Sequence, residues 1–466
     1  MERELIGGLG VVAMIVLMFL RMPVAYALLL IGWLGLVALR HVGAADGVMA
    51  VDPFAMLRNF DLTTIPSFML MGYIAYVAGF TKDIYETARI WFARTAGGLA
   101  AASTLGCAAF AAVSGSSLAT AAAMGKIAVP EMLRRGYDKG LATGVVAASG
   151  TLGSLIPPSV LMILYAVFTD QSIAILFIAA LIPGILSAAL YVAMILIRAR
   201  INPALGPGMV EGTSWREKFA SLRGTWSILL LFVIVMGGIL VGVFTPMESG
   251  AMGATGAFLI AVLSGRLTIE KFRLAVLDTL RQSAVIFAIV FGALVFTRFI
   301  ALSGLGQAMA EFAVSVSSNP TPMIIALSVI YVILGTFMGP IEIMLLTLPL
   351  VTPIIDSYGL SLVWFAVIMI KFLEIGLITP PLGFNVFVIA SVVGKHVVPV
   401  TTIFRGVLWF IAIDILTLAV LIAFPAISLY LPDIYLDWTA FLRTNNLEAG
   451  SAIWLWLTGG LPAGGS

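Results

Sequence analysis

Two proline pairs stand inside apolar segments of the sequence, Pro157-Pro158 and Pro380-Pro381. Proline lacks an amide hydrogen and its ring clashes with the preceding turn, so two consecutive prolines must interrupt a helix. The carbonyl groups that this frees suit a hard monovalent cation, and helix N-termini that face the gap suit an anion. Gly150, Gly153 and Gly376 are expected to loosen the same turns. The sequence therefore predicts two ion-binding breaks, with prolines that only kink packing helices as the simpler alternative.

A short segment able to form a turn precedes each proline pair at nearly the same spacing. The two segments are Ser114-Gly115-Ser116-Ser117 and Gly335-Thr336-Phe337-Met338-Gly339-Pro340. Ser116 precedes Pro157 by 41 residues, and Met338 precedes Pro380 by 42 residues. Each segment separates two apolar stretches that are short for complete membrane crossings. We predict two re-entrant helical hairpins, at about 96–133 and 321–356, that meet broken helices at about 139–168 and 360–394. The alternative at the first segment is an ordinary pair of spanning helices with a serine turn in water.

The composition indicates what kind of protein holds these segments. The chain has 466 residues, 61% hydrophobic and 10% charged, compared with roughly 45–50% and about 25% in soluble domains. Charge-free apolar runs such as Ser172–Ile197 and Trp226–Phe244 recur along it, and about 20 such residues cross a bilayer as a helix. The predicted fold is therefore an all-α polytopic membrane protein in a lipid bilayer. The net charge of +2, with no basic stripe on a polar domain, excludes a nucleic-acid partner.

Residues that commonly hold metals are too few and too scattered to form a centre. Cys107 is single, which excludes an intrachain disulfide, and His41 and His396 lie far apart in the sequence. No cofactor is therefore expected. A membrane-embedded enzyme is not favoured either, because it would require clustered intramembrane His, Asp or Cys residues.

An internal repeat places the two sets of motifs in equivalent positions. The proline pairs are offset by 223 in sequence number (380 minus 157), and the same offset relates Pro23 to Pro246 and Ser116 to Gly339. Three landmarks that share one offset indicate a duplication. The division is a first repeat over 1–200, a linker over 201–224, a second repeat over 225–425 and a tail over 426–466.

Lys and Arg residues predict how the repeats face the membrane. They are frequent at 82–94 and 134–139 and absent from the equivalent segments Ala301–Pro320 and Asp356–Gly359. Because short cytoplasmic loops attract Lys and Arg, the repeats must insert with opposite orientations. The linker is then cytoplasmic, and both termini and the tail are periplasmic. Inverted-topology repeats are typical of secondary transporters.

Two amphipathic segments, Thr81–Arg94 and Gly304–Val316, occupy equivalent positions in the two repeats. Such helices lie in the membrane interface. They are predicted to connect a moving domain to a fixed one, which favours an elevator motion.

Ionisable residues within apolar segments are candidates for function. Lys371 and Glu374 are i,i+3 neighbours on one helix, so they either pair structurally or take part directly in transport. Glu248 and Glu342 each follow a proline at a predicted helix start, where a carboxylate stabilises the helix. A further role remains open for Glu342 because a hairpin tip is near. Asp414 is expected to have a scaffold role.

The motifs resemble the large membrane subunit of TRAP transporters (tripartite ATP-independent periplasmic transporters), over nearly all of residues 1–425. The most specific are Ser114-Gly115-Ser116-Ser117 with Ala119-Thr120, Pro130-Glu131-Met132 with Gly136-Tyr137-Asp138, Leu152-Gly153 through Pro157-Pro158-Ser159, and Gly376 through Pro380-Pro381-Leu382-Gly383 with Asn385 and Phe387. The resemblance implies sodium-coupled uptake of a small carboxylate, such as a C4-dicarboxylate, across the bacterial inner membrane. It also implies two partners, a small four-helix membrane subunit and a periplasmic substrate-binding protein.

The resemblance also implies positions for ion and substrate sites. The sodium-binding residues would be Ser114, Ser116, Gly150 and Gly153 at one junction, and Gly335, Met338, Gly376 and Thr379 at the other. The candidate substrate-binding residues are Ser117, Pro158, Ser159, Pro381 and Asn385. The sequence departs from the family pattern at Gly339, where many relatives carry Asp.

Two rival interpretations are transport proteins of other kinds. A single-component sodium-coupled dicarboxylate carrier of related inverted-hairpin architecture would work without partners. A channel can also contain re-entrant hairpins, but it would conduct passively instead of coupling sodium to the solute with fixed stoichiometry.

Overall fold

The structure, a computed structural model, describes residues 2–208, 214–394 and 396–444. The helices of the first half are α1 (Glu2–Phe19), α2 (Val24–Leu39), α3 (Val42–Arg58), α4 (Thr64–Val77), α5 (Phe80–Trp91), α6 (Gly98–Ser114), α7 (Ser117–Arg134), α8 (Lys139–Leu155), α9 (Val160–Thr169) and α10 (Ile173–Ile201). Those that follow are α11 (Trp215–Ser221), α12 (Trp226–Phe232), α13 (Gly238–Val241), α14 (Pro246–Leu263), α15 (Ile269–Ser303), α16 (Leu305–Val316), α17 (Pro320–Gly335), α18 (Pro340–Ser357), α19 (Leu362–Ile378), α20 (Phe384–Val393), α21 (Val400–Ala423) and α22 (Ala426–Thr444). Short 3-10 turns occur at Phe60–Thr63, Pro203–Leu205 and Leu222–Gly224, and a π-helical turn at Val233–Gly237 joins α12 to α13.

The helices are apolar enough for a membrane protein. Among the described residues, seven helical segments are long and apolar enough to span a bilayer, or eight if the pair Trp215–Gly224 and Trp226–Val241, bent by 54°, is one span. One of the seven is Lys139–Thr169, in which α9 continues α8 beyond the first proline pair. The described part of the chain is therefore all-α and polytopic, as predicted.

The helices of the two halves begin at corresponding positions. The first residues of α7 and α18 differ by 223 in sequence number (340 minus 117), as do those of α8 and α19 (362 minus 139), and those of α9 and α20 differ by 224 (384 minus 160). The segments predicted as hairpins contain α6 with α7 and α17 with α18, and those predicted as broken helices contain α8 with α9 and α19 with α20. The repeat boundaries, the opposite orientation and the re-entry of the hairpins stay predictions.

Local sequence accounts for where these helices begin and end. α6 ends at Gly115, whose φ of 61° suits glycine, and α7 begins after Ser116, whose hydroxyl accepts the amide hydrogen of Ala119. α14 begins with a capping box in which Thr245 and Glu248 bond each other's backbone amides. The predicted helix-stabilising role of Glu248 is therefore confirmed.

The two helices that lead into the proline breaks form the centre of the fold. Every residue of α8 from Gly140 to Leu155 is buried, and so is every residue of α19 from Trp364 to Ile378. A helix that is apolar on all sides must be surrounded by other helices. α8 packs on α6, α7 and α21, while α19 packs on α17, α10 and α21. The helix ends that lead into the breaks are thus surrounded by protein instead of facing lipid, as unwound backbone in a membrane requires.

The structure adds helices that the sequence pattern did not predict. α3 occupies a segment for which no helix was predicted, α11 lies within the linker, and α22 forms the first part of the tail. α22 packs on α10 and α19, so this part of the tail belongs to the helical core region. The rest of the tail, 445–466, lies outside the described residues. The two predicted amphipathic helices are present as α5 and α16.

Candidate ion- and substrate-binding site

The first hairpin tip lies against the first proline break. A Cβ atom on Gly115 would lie 2.6 Å from the carbonyl oxygen of Pro158, so a larger residue would push the tip away from the break. The amide of Val160, at the start of α9, donates to the carbonyl of Gly115 at 3.3 Å. The predicted convergence of tip and break is therefore present in the first half.

A cluster of oxygen atoms forms behind this tip. The hydroxyls of Ser114 and Thr120 are hydrogen-bonded at 3.0 Å, and the Thr120 hydroxyl donates to the carbonyl of Ser116 at 2.8 Å. A Cβ atom on Gly153 would lie 2.7 Å from that carbonyl oxygen and 2.9 Å from Thr120 Oγ1. The structure thus brings three of the four predicted residues, Ser114, Ser116 and Gly153, to one place. Hydroxyl and carbonyl oxygens are the ligands that hard cations take.

Ser117 joins the tip to the break through its side chain. Its hydroxyl donates to the carbonyl of Thr151 at 3.2 Å and is hydrogen-bonded to the hydroxyl of Ser154. The Ser159 hydroxyl donates in turn to the carbonyl of Ser154. Ser117, Ser154 and Ser159 are all buried. This network fixes the N-terminus of α7 relative to the end of α8.

The second tip meets its broken helix through two glycines. A Cβ atom on Gly335 would lie 2.6 Å from Cα of Gly376, and the converse distance is also 2.6 Å. α17 and α19 therefore cross in backbone contact, which only glycine at both positions permits. The amide of Met338 donates to the carbonyl of Leu334, and the Thr379 hydroxyl donates to the carbonyl of Ile375 at 2.6 Å. Two of the four residues predicted here, Gly335 and Gly376, are thus in direct contact.

Three glycines have a different role from the one predicted. Gly150, Gly153 and Gly376 lie inside regular helices, α8 and α19, and do not loosen turns. Each permits close approach of a neighbour; Gly150 packs on Ala121, where an added Cβ atom would lie 2.8 Å from the alanine Cβ. The prediction of loosening was wrong because the proline pairs alone interrupt the helices.

A cavity of about 740 Å³ lies between the two tips. Ser116 and Ser117 line it from the first tip, and Met338 and Gly339 line it from the second. Leu382 and Phe384 of the second break and Phe19 and Arg21 of the α1–α2 turn complete part of the wall. The N-termini of α7 and α18 both border this cavity, since Ser117 and Pro340 are among its lining residues. The two helix N-termini contribute partial positive charge to the wall, and Glu342, which also lines the cavity, contributes a carboxyl group.

Of the five predicted substrate-binding residues, Ser117 lines the cavity and the other four do not. Pro158 and Ser159 are buried behind the first tip, and Pro381 is exposed on the second break. Asn385 is buried, and its Nδ2 donates to the carbonyl of Ala147 on α8 at 3.0 Å. Its side chain therefore ties the second break to the first half of the chain.

Some lining residues were not among the predicted site residues. Ser154 and Arg21 line the cavity, and Glu342 at the start of α18 folds its carboxylate over Gly339. A carboxylate is therefore present at this tip although residue 339 is glycine. Thr120, which belongs to the oxygen cluster behind the first tip, was not predicted as a site residue either, although the Ala119-Thr120 motif contains it. No signal in the sequence points to Arg21, because its place depends on how α1 and α2 pack.

Lys371 and Glu374 form the predicted pair away from the cavity. Lys371 Nζ lies 2.8 Å from Glu374 Oε2 and 2.6 Å from Asp414 Oδ1, and all three side chains are fully buried. Asp414 Oδ2 accepts a hydrogen bond from Tyr191 at 2.6 Å. Pairing is thus confirmed, and Asp414 joins α21 to this cluster.

The fold is that of known membrane transporters. The YdaH transporter of Alcanivorax borkumensis has a TM-score of 0.56 with this chain at 14% identity, covering 85% of this chain and 89% of its own. MtrF of Neisseria gonorrhoeae, described among antimetabolite efflux pumps, has a TM-score of 0.54 at 14% identity, covering 83% and 85%. The described residues thus form an all-helical, polytopic membrane protein whose fold resembles that of these two proteins.

Sequence comparison gives the family. The model of the tripartite ATP-independent periplasmic transporter DctM component matches residues 11–427. The chain is 34% identical to the C4-dicarboxylate TRAP transporter large permease protein DctM of Pseudomonas aeruginosa, over 83% of this chain and 89% of that protein. It is 32% identical to the sialic acid TRAP transporter large permease protein SiaM of Vibrio cholerae, over 91% and 97%. An isethionate TRAP transporter permease protein of Oleidesulfovibrio alaskensis is 29% identical, over 85% and 62%. The chain belongs to the DctM component family of TRAP transporters, whose members are permease subunits and not enzymes.

Proposed function

We propose that this chain is the permease that carries out sodium-coupled uptake of a small organic acid across the bacterial inner membrane. The observation that carries the proposal is the cavity bordered by the N-termini of α7 and α18. Such ends favour anions through their free amide groups and the helix dipole. Arg21 in the lining adds a cationic side chain, which offsets the carboxyl group of Glu342 in the same wall and leaves the helix N-termini to favour the anion. The named relatives transport C4-dicarboxylates, sialic acid or isethionate, which are all organic anions.

Sodium is proposed as the coupling ion, with a site at each junction of tip and break. In the first half, the cluster of Ser114, Thr120 and the Ser116 carbonyl supplies neutral oxygen atoms beside Gly153. In the second half, Gly335 and Gly376 bring two backbones together, and Met338 and Thr379 each follow three residues further along the chain. Neutral oxygens suit a monovalent cation, since a denser set of carboxylates would favour a divalent one.

The proposed mechanism is an elevator built from two inverted repeats. The near-constant separation of helix starts supports the duplication, and the Lys and Arg bias supports the opposite orientation, with both termini periplasmic. α5 and α16 precede the two hairpins in the chain, which supports a role in connecting moving hairpins to the remaining helices.

Family membership implies a small membrane subunit and a periplasmic binding protein, and we propose that the small subunit has four helices and that the binding protein delivers the solute. Uptake by proteoliposomes containing all three proteins, tested with a panel of labelled organic acids, should identify the substrate and require sodium. Proteoliposomes containing this chain alone should show no uptake. Robust uptake without partners would instead support a single-component carrier.

Substitutions at the two proposed sodium sites test the coupling. Ser116→Ala removes the hydroxyl that caps α7 and thereby helps to position the Ser116 carbonyl, and Thr379→Ala removes a hydroxyl at the second junction. Each should raise the sodium concentration that gives half-maximal uptake. Ser328→Ala is the matched control, because this α17 hydroxyl bonds the Ile324 carbonyl of its own helix, as Thr379 bonds that of Ile375, and does not line the cavity. Unchanged sodium dependence in both site variants would count against these positions.

A further inference from the structure

A buried charge cluster lies at the meeting point of three helices. It consists of Lys371 and Glu374 on α19, Asp414 on α21 and Tyr191 on α10, and each side chain is fully buried. The Lys371 ammonium lies between the two carboxylates, 2.8 Å from Glu374 and 2.6 Å from Asp414, and 5.9 Å above the Tyr191 ring. None of these residues lines the central cavity.

The formal charges of this cluster do not cancel. One ammonium faces two carboxylates, which leaves a charge of −1 if both acids are ionised. An uncompensated charge in a low-dielectric interior is costly, and it is usually neutralised by protonation or by a bound ion. Among the described residues, Lys371 is the cation that forms ion pairs with Glu374 and Asp414, and no second Lys, Arg or His side chain does so.

In the described part of the chain, no other charged side chain of the neighbouring helices forms an ion pair with the cluster. Arg198 on α10 lies over the Trp409 ring, Arg200 and Arg405 are exposed, and Glu342 and Asp356 on α18 are acidic and cannot compensate a negative charge. Tyr331 on α17 bonds Thr347 of α18, and Tyr165 on α9 donates to the carbonyl of Leu362. Lys139, at the far end of α8, donates to the carbonyl of Val397. Asp433 and Asp437 on α22 are exposed. The compensation for the extra negative charge must therefore come from a proton or from a small cation.

The hydrogen bonds distinguish the two carboxyl groups. Both oxygens of Asp414 have partners, Oδ1 with Lys371 and Oδ2 with the Tyr191 hydroxyl. Glu374 uses Oε2 for Lys371, while its buried Oε1 has no partner among the described residues. A carboxylate with two strong donors is stabilised in its ionised form, so the proton is favoured on the carboxyl that has only one.

We propose that this cluster is a proton-binding site and that its proton resides on Glu374. A proton taken from solvent forms an O–H bond at Oε1, which leaves Lys371 and Asp414 as the ionised pair. Glu374 precedes Gly376 by two residues on α19, and Gly376 contacts Gly335 at the second tip. The charge state of Glu374 is therefore linked to the helix that carries the second break. This inference does not depend on sodium coupling or on the identity of the substrate.

Infrared spectroscopy of the purified full chain in lipid at neutral pH tests the proposal. A protonated carboxyl group has a carbonyl stretch distinct from that of a carboxylate and shifts in heavy water. In wild-type chain that carries 13C-labelled glutamate the protonated carbonyl stretch should shift, whereas 13C-labelled aspartate should leave it in place; a shift with labelled aspartate would put the proton on Asp414 and overturn the proposal. Wild type minus Glu374→Gln should show the loss of one such group per chain, because glutamine has the shape of the protonated acid but no acid proton. Glu248→Gln is the control; this exposed helix-capping residue should contribute no protonated band.

Asp414→Asn provides a second test that depends on the charge count. It removes one negative charge, so Glu374 should ionise to pair with Lys371, and the protonated band should disappear although Glu374 is still present. If the band is unchanged in Glu374→Gln, then Glu374 is ionised in the wild type and the proposal is wrong. A sodium-dependent shift of a carboxylate band that Glu374→Gln abolishes would also overturn it, since sodium would then be the compensating ion.

Thermal melting keeps the proposal testable if Asp414→Asn does not fold. The wild type should lose stability at alkaline pH, where loss of the proton leaves the buried charge uncompensated, and Glu374→Gln should lack this alkaline loss. Equal alkaline losses in the wild type and Glu374→Gln would contradict a proton on Glu374.

Discussion

The contact between Gly153 and the first hairpin tip offers the sharpest test of the proposed sodium site. In Gly153→Ala, the added Cβ atom would lie 2.7 Å from the Ser116 carbonyl oxygen, whereas ordinary van der Waals contact begins at 3.4 Å. The tip must therefore withdraw by about 0.7 Å (3.4 minus 2.7) or the helix must shift by as much. The neighbouring atoms belong to backbone and to a hydrogen-bonded hydroxyl, so they cannot rotate away.

The size of the effect follows from the cost of overpacking, which is typically about 1–3 kcal/mol. Alanine has a higher helix propensity than glycine, which stabilises the fold by up to about 1 kcal/mol. This gain does not restore the position of the Ser116 carbonyl. Because about 1.4 kcal/mol corresponds to a factor of ten in affinity, a cost of about 1–3 kcal/mol that falls on ion binding should raise the sodium midpoint by about fivefold to about a hundredfold. At saturating sodium, the melting temperature of Gly153→Ala should change little relative to the wild type, while the sodium midpoint changes strongly.

Sodium-dependent thermal stabilisation of the purified complex measures this midpoint without knowledge of the substrate, since a ligand that binds only the folded state raises its stability. Sodium is exchanged for choline at constant ionic strength. Gly47→Ala is the matched control, because this helical glycine on α3 has no atom within 4 Å of an added Cβ. A Gly153→Ala midpoint equal to that of wild type and Gly47→Ala would refute the assignment of a sodium site at this tip.

Three further predictions concern other contacts of the fold. Gly376→Ala should raise the sodium midpoint as well, because its Cβ atom would lie 2.6 Å from Cα of Gly335. The same sodium titration measures this effect, and an unchanged midpoint would argue against a sodium site at the second tip. Asn385→Ala should lower the melting temperature by removing the hydrogen bond to Ala147, worth about 1 kcal/mol, while the apparent substrate affinity in uptake assays stays the same. A large loss of affinity would instead support the predicted role of Asn385 in substrate binding. Thr245→Ala should destabilise the protein by about 1 kcal/mol through loss of the α14 capping box, with unchanged sodium dependence; a changed sodium midpoint would show that this helix end is coupled to the ion sites.

The sequence alone placed the helices that build the site. The second broken helix, predicted at about 360–394, is observed as Leu362–Ile378 and Phe384–Val393. The reason is local, because prolines and glycines interrupt helices wherever they occur and apolar length determines what can span a bilayer. The same landmarks revealed the constant offset between the two halves and, with the Lys and Arg bias, the predicted orientation.

Tertiary structure decided which atoms meet. Asp414 reaches Lys371 from 43 positions away in sequence, and Tyr191 reaches Asp414 from 223 positions away. The roles of Gly153 and Gly376 in close packing, the exclusion of Asn385 from the cavity and the inclusion of Arg21 in its wall also depend on how distant helices cross. Apolar periodicity and helix punctuation specify each helix by itself. The contacts between helices depend on the shapes of all the surfaces that pack together, and no single segment of the sequence contains that information.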